Sequence, residues 1–162
     1  MDVEAVIYSA LTEIDPSIPH TPETPLFGPD SVSINRGLNG LKIVVCFPGG
    51  KKSKKIEMML KLFKDLRLKV IVATPGEHDK QMANSQALVH LIGRGLASLK
   101  MKPQEISTPD YDSLVRIHSM VNNDTMQLFS DMQTKNPFAK RVRRKFIGSL
   151  VHIDAKLNQQ MK

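Results

Sequence analysis

Two short apolar runs, Leu41-Lys42-Ile43-Val44-Val45-Cys46-Phe47 and Val70-Ile71-Val72-Ala73, constrain this chain more than any other feature. Each is too short for a buried helix and too continuous for a strand with one wet face, so both read as buried strands. Pro48-Gly49-Gly50 closes the first and Thr74-Pro75-Gly76 the second. Between them Ile56, Met59, Leu60, Phe63 and Leu66 fall at helical spacing opposite a lysine-rich face, and Ser53 can cap that helix. Strand, helix and strand in so little chain form a βαβ unit with parallel strands.

From Glu77 the pattern changes to a 3.6-residue period and stays there. The stretch 77–99 carries Met82, Ala83, Ala87, Leu88, Val89, Leu91, Ile92 and Leu96 around most of its circumference, which predicts one helix buried on most sides. Pro103 and Pro109 bracket a linker, and further helices are expected over 110–133 and 137–160, parted at Asn136-Pro137. At the other end, residues 1–15 read as a short amphipathic helix. Five prolines between Pro16 and Pro29 predict a shaped loop there with no regular structure. The expected fold class is therefore α/β followed by all-α, with domains at 1–76 and 77–162. Two parallel strands do not make a stable open sheet, so the first half is expected to be the trailing, partial piece of a larger Rossmann-like α/β domain.

Composition narrows the function classes. A single cysteine, Cys46, excludes an internal disulfide and any cysteine-based zinc cluster, and no metal site is expected. Lys and Arg number 23 against 16 acids, a formal charge of +7, which permits an anionic partner without selecting one. Aromatic residues make up 5%, too few for a binder that stacks single-stranded bases. The basic run Arg141-Val142-Arg143-Arg144-Lys145 reads as a solvated helix face, with Val142, Phe146 and Leu150 packing the other, so nucleic acid is not the expected partner. The turn Gly49-Gly50-Lys51-Lys52-Ser53 lacks the spacing of a Walker loop. No run approaches the roughly 20 apolar residues of a membrane span, and the Met-Asp-Val-Glu start lacks the features of a secretory signal, so a cytoplasmic location is expected.

Three stretches, in order, together resemble the prephenate/arogenate dehydrogenase family. The first is Pro25-Leu26-Phe27-Gly28-Pro29-Asp30-Ser31. The second is Glu77-His78-Asp79-Lys80, Ser85-Gln86 and His90-Leu91-Ile92-Gly93-Arg94. The third is Ile106-Ser107-Thr108, Asn123-Asp124, Leu128-Phe129 and Asn136-Pro137-Phe138-Ala139. The resemblance covers roughly residues 24–160. It implies oxidative decarboxylation of prephenate or arogenate with NAD or NADP on the route to tyrosine, a Rossmann domain, and a helical domain that forms a homodimer. Two departures stand out. The strand-linked fingerprint G-x-G-x-x-G is nowhere in these 162 residues, and Gly93-Arg94-Gly95 lies inside a predicted helix. Thr24 occupies the position of the family's catalytic histidine, with His20 the nearest possible substitute.

The resemblance implies that His90 contributes to the active site, where a neutral imidazole can exchange a hydrogen bond with a dienol or a carboxylate. Gln86 lies one turn before it on the same face, and His78 and Asp79 lie at the helix start. The plainer reading of His90 is an imidazole satisfied in a helix interface, and that of the acids is a favourable place on the helix dipole. Arg94 and Arg116 are the candidates for gripping a substrate carboxylate, because guanidinium binds it bidentately; either could equally be a solvated arginine. The expected function is thus a prephenate/arogenate dehydrogenase-like protein, truncated and impaired on its own. The alternative is a non-catalytic dimerising or regulatory module that binds an aromatic metabolite or a partner chain.

Overall fold

The computed structural model describes residues 23–25, 37–46 and 54–160. The expected helix over 1–15, Ser53 and His20 lie outside them. The chain divides into two compact units, Met1–His78 and Asp79–Lys162.

The first unit holds a three-stranded sheet in the order β1 (Glu23–Pro25), β2 (Lys42–Cys46), β3 (Lys69–Ala73). Strands β2 and β3 are parallel, pairing Ile43 with Val70 and Val45 with Val72, and helix α1 (Lys54–Asp65) connects them. The βαβ unit read from the two apolar runs is present. Strand β1 corrects the expectation of an irregular proline-rich loop, because Thr24 pairs antiparallel with Val44 and Pro25 with Ile43. Proline lacks an N–H for the ladder, but an edge strand leaves one side of the backbone unpaired in any case.

Ile43, Val45, Met59, Phe63 and Leu68 form the core of this unit. Helix α1 stops at a left-handed residue, Arg67, whose φ is 58°. Leu68 N–H donates to the Phe63 carbonyl and Arg67 N–H to the Lys64 carbonyl, which is the Schellman closure, and the apolar contact that accompanies it is Leu68 on Phe63. Strand β3 is less covered than its sequence suggested: Val70 and Ile71 are half-buried, while Val72 is 52% exposed.

Helix α2 (Pro75–Asn84) begins at a capping box. Glu77 N–H donates to Thr74 Oγ1, and the Glu77 carboxylate accepts from both the N–H and the hydroxyl of Thr74. Pro75 takes the first helical position, which needs no N–H. The single helix expected over 77–99 is kinked at Ser85 (φ −114°, ψ −87°), and α3 (Gln86–Ser98) continues beyond it. The helix expected over 110–133 is two: α4 (Pro109–Asn122) and α5 (Met126–Thr134), each capped by a threonine, Thr108 and Thr125. The last helix, α6 (Ala139–Gln160), lies where its periodicity put it.

In the second unit Ala83, Ala87 and Ala139 are buried together, with Met132, Phe138 and Val142 packed around them. Small residues let the backbones approach. At Gly93 the approach is closest, since a Cβ placed there would lie 2.8 Å from the Cβ of buried Val121 on α4. No described helix is long and apolar enough to cross a membrane.

Candidate functional site

The burial stripe of α3 runs through Ala87, His90 and Gly93 at helical spacing. His90 is 4% exposed, one of two buried polar residues in the described chain, the other being Gln133. Its Nδ1 faces Oδ2 of Asp124, in the corner that joins α4 to α5, at 3.6 Å. Burial pushes the imidazole pKa below its ordinary 6.5; the Asp124 carboxylate opposes that shift and the Arg94 guanidinium adds to it.

One turn further along α3, Arg94 secures the same corner. Its Nη2 donates to the Asp124 carbonyl and its guanidinium lies over the Phe129 ring, 5.8 Å from the centroid. Deeper in the unit, Gln133 Nε2 donates to the Ala87 carbonyl at 2.7 Å, and Arg143 donates to both the side-chain and backbone oxygens of Gln133 at 3.0 Å. Arg143 therefore points inward from α6, which corrects the reading of residues 141–145 as a wholly solvated basic face. Leu150, expected to pack, is 50% exposed. Asn136 Nδ2 donates to the Asp79 carbonyl and its Oδ1 accepts from Phe138 N–H, pinning the turn before α6.

The neutral ring has a consequence for stability. A group whose pKa is lowered by folding contributes fully above its unfolded value and loses that contribution as pH falls through the folded one. The melting temperature of wild type is therefore expected to fall, relative to a His90→Phe variant, as pH drops below about 6.5. Parallel melting curves for the two proteins across that range would contradict the assignment.

Comparison with known proteins finds relatives of one kind. Residues 95–162 match the TYRAAT1-like C-terminal domain family. Arogenate dehydrogenase 1 of Arabidopsis thaliana is 31% identical over 109 residues, 65% of this chain and 17% of that protein. A probable arogenate/prephenate dehydrogenase of Methanocaldococcus jannaschii is 29% identical over 142 residues, 82% of this chain and 30% of that protein. This chain is related to the arogenate/prephenate dehydrogenases.

The relationship reaches the fold. Synechocystis arogenate dehydrogenase matches with a TM-score of 0.56 at 13% identity, over 76% of this chain and 47% of its own. Prephenate dehydrogenase from A. aeolicus, crystallised with hydroxyphenyl propionate and NAD+, matches at 0.57 and 16% identity, over 75% of this chain and 44% of its own. The chain thus spans less than half the length of the relatives it matches.

The residues proposed from the family motifs are not all brought together. His90 and Arg94 share a face of α3 and both engage the Asp124 corner. Gln86, at the start of α3, is exposed, and so is Arg116 on α4. His78 and Asp79 are half-buried near the start of α2, and the Asp79 carbonyl is taken by Asn136. Thr24 lies in β1 of the first unit. In the sequence Asp124, Phe129 and Asn136 stand only as motif residues, Arg143 only as part of a solvated basic face, and Gln133 has no assigned role. The signal for Asp124 was the Asn123-Asp124-Thr125 cluster, which is turn and cap chemistry inside an otherwise helical period.

A nicotinamide cofactor needs a helix N-terminus free to meet its pyrophosphate. The described helix start that follows a strand directly is that of α2, after β3, and the Glu77 carboxylate already caps it. Hydrogen bonds from Thr74 lower the pKa of that carboxylate, and its negative charge would repel a phosphate. That helix start does not fit the cofactor's pyrophosphate.

Proposed function

We propose that this chain works as an arogenate/prephenate dehydrogenase-type protein whose helical unit recognises a cyclohexadienyl carboxylate, prephenate or arogenate, with His90 as the recognising group. What supports the proposal is a buried histidine whose pKa burial lowers, in a chain related to these dehydrogenases and at a position that the family resemblance implies contributes to the active site. A neutral ring can accept from or donate to the substrate's ring hydroxyl or carboxylate without bringing a charge into the site. Arg94 keeps the Asp124 corner in register with that ring. Of the two candidate arginines, Arg116, exposed on α4, is the one proposed to attract a carboxylate. Thr24 cannot take a proton near neutral pH, because a hydroxyl is far too weak a base. With threonine at the family's histidine position and no G-x-G-x-x-G fingerprint in the sequence, these 162 residues by themselves are expected not to carry out the oxidation.

The test is a melting experiment. Prephenate or arogenate at a hundred times its dissociation constant should stabilise the protein by about 2.7 kcal/mol, worth on the order of 10 °C or more in the melting temperature. NAD and NADP should leave it unchanged. A cofactor-induced rise, or none with either substrate, would refute the proposal.

The same unit is proposed to pair with a second copy. Leu88, Leu91 and Ile92 are only half-buried within one chain. The stripe that packs the start of α6 through Ala139 and Val142 continues through Leu150, Ile153 and Leu157, each at least half exposed. Light scattering should give twice the 18.1 kDa chain mass, and a monomer at tens of micromolar would sink this part of the reading.

The alternative, a non-catalytic module binding an aromatic metabolite or a partner chain, is favoured by Thr24 and by the occupied helix start at Glu77. It shares the substrate-binding prediction and differs only where a cofactor-binding partner is supplied. The dehydrogenase reading then predicts turnover, and the regulatory reading predicts none.

A further inference from the structure

We propose that Asp124 is a positioning residue: its carboxylate keeps the His90 ring proton on Nδ1, so that Nε2 is the lone pair offered to the substrate. This deepens the assignment of His90 made above and rests on it. A neutral imidazole carries one donor and one acceptor, and the environment decides which nitrogen is which. Here Nδ1 is buried, makes no hydrogen bond, and looks at Oδ2 of Asp124 from 3.6 Å. A lone pair at Nδ1 would face a carboxylate oxygen in a site largely shielded from water, whereas an N–H there meets it favourably. Shielding magnifies the difference between the two tautomers.

The arrangement is held from both sides by α3. The helix contributes the ring at His90 and, one turn on, the guanidinium of Arg94 that donates to the Asp124 carbonyl. Asp124 N–H donates back to the Val121 carbonyl at 3.2 Å, and Arg94 is braced over Phe129 at 5.8 Å. The carboxylate is thus presented from a corner fixed to the same helix that bears the imidazole. The charged groups acting on the ring are Asp124 from the α4–α5 corner and Arg94 from α3 itself. They oppose each other in setting the charge of the ring, but Asp124 is the one aimed at a ring nitrogen.

Nitrogen-15 NMR of the histidine ring reads the tautomer directly, with no need for turnover. At about pH 8, above the ordinary histidine range, wild-type His90 should show a protonated Nδ1 and an unprotonated Nε2. Asp124→Asn keeps the backbone carbonyl for Arg94 and should abolish the preference for Nδ1–H, and Asp124→Glu should restore part of it. An Nε2–H tautomer in wild type, or an unchanged preference in Asp124→Asn, would overturn the proposal. The wild-type spectrum alone decides if the variant does not fold. Titrating prephenate or arogenate into the same sample tests the underlying assignment separately. A shift at Nε2 supports it. No shift, with the tautomer behaving as expected, would remove substrate from the account and leave the Asp124–His90 coupling standing.

Discussion

Phe63→Ala should cost the α/β unit about 3–5 kcal/mol, the range for emptying an aromatic side chain from a closed core. Phe63 is fully buried among Ile43, Val45, Met59 and Leu68, and it also anchors the closure of α1 through Leu68. The loss therefore combines a cavity with a loosened helix end. A unit with so small a core has little reserve, since whole domains are stable by only about 5–15 kcal/mol. Met58 precedes the buried stripe and is 57% exposed, so Met58→Ala should change stability by no more than about 0.5 kcal/mol. Hydrogen exchange should show β2 and β3 opening in the Phe63 variant. Unchanged protection there would mean that this core does not hold the sheet.

Two glycines two residues apart on α3 should respond with opposite signs. At Gly93 a new Cβ meets Val121 Cβ at 2.8 Å and its methyls at 2.9 and 3.1 Å. The Cβ of a valine cannot swing away by rotating a side-chain bond, so α3 and α4 must separate. Overpacking of this kind costs about 1–3 kcal/mol, more than the roughly 1 kcal/mol that alanine gains over glycine within a helix. Gly93→Ala should therefore lower the melting temperature of the helical unit, and Gly93→Leu should prevent its folding. At Gly95 nothing lies within 4 Å, so Gly95→Ala should stabilise by about 0.5–1 kcal/mol. Equal effects at the two positions in thermal denaturation would contradict the close approach of α3 to α4.

The parts of this fold legible in the sequence are those written in local periodicity. The strands β2 and β3, the amphipathic α1 and the long α6 follow from apolar spacing alone. Periodicity was silent at Ser85, because a kink that keeps the i to i−4 ladder on both sides leaves the pattern of apolar residues unbroken; Ser85 N–H still donates to Gln81, and Val89 N–H to Ser85. The break at Asn123–Thr125 was legible in principle from its turn residues, but Val121 and Leu128 flank it at spacings a continuous helix would also produce. Strand β1 escaped because proline density argues against a strand, and only pairing with Val44 overrides that. At the candidate site, spacing and family resemblance together picked out His90. Its partner Asp124 is 34 positions away, and the inward turn of Arg143 depends on Gln133. Such contacts belong to tertiary packing, which a one-dimensional pattern does not record.

The central claim is that the helical unit binds a cyclohexadienyl carboxylate through His90, and calorimetric titration of prephenate and arogenate tests it most directly. Wild type and His90→Phe would be measured together, with circular dichroism establishing that the variant keeps its helices. The account predicts saturable heat in wild type for at least one of the two substrates, and a loss of about tenfold or more in affinity when both ring nitrogens are removed, the equivalent of about 1.4 kcal/mol for a buried hydrogen bond. Equal binding by the two proteins, or no heat from either substrate in wild type, would contradict it.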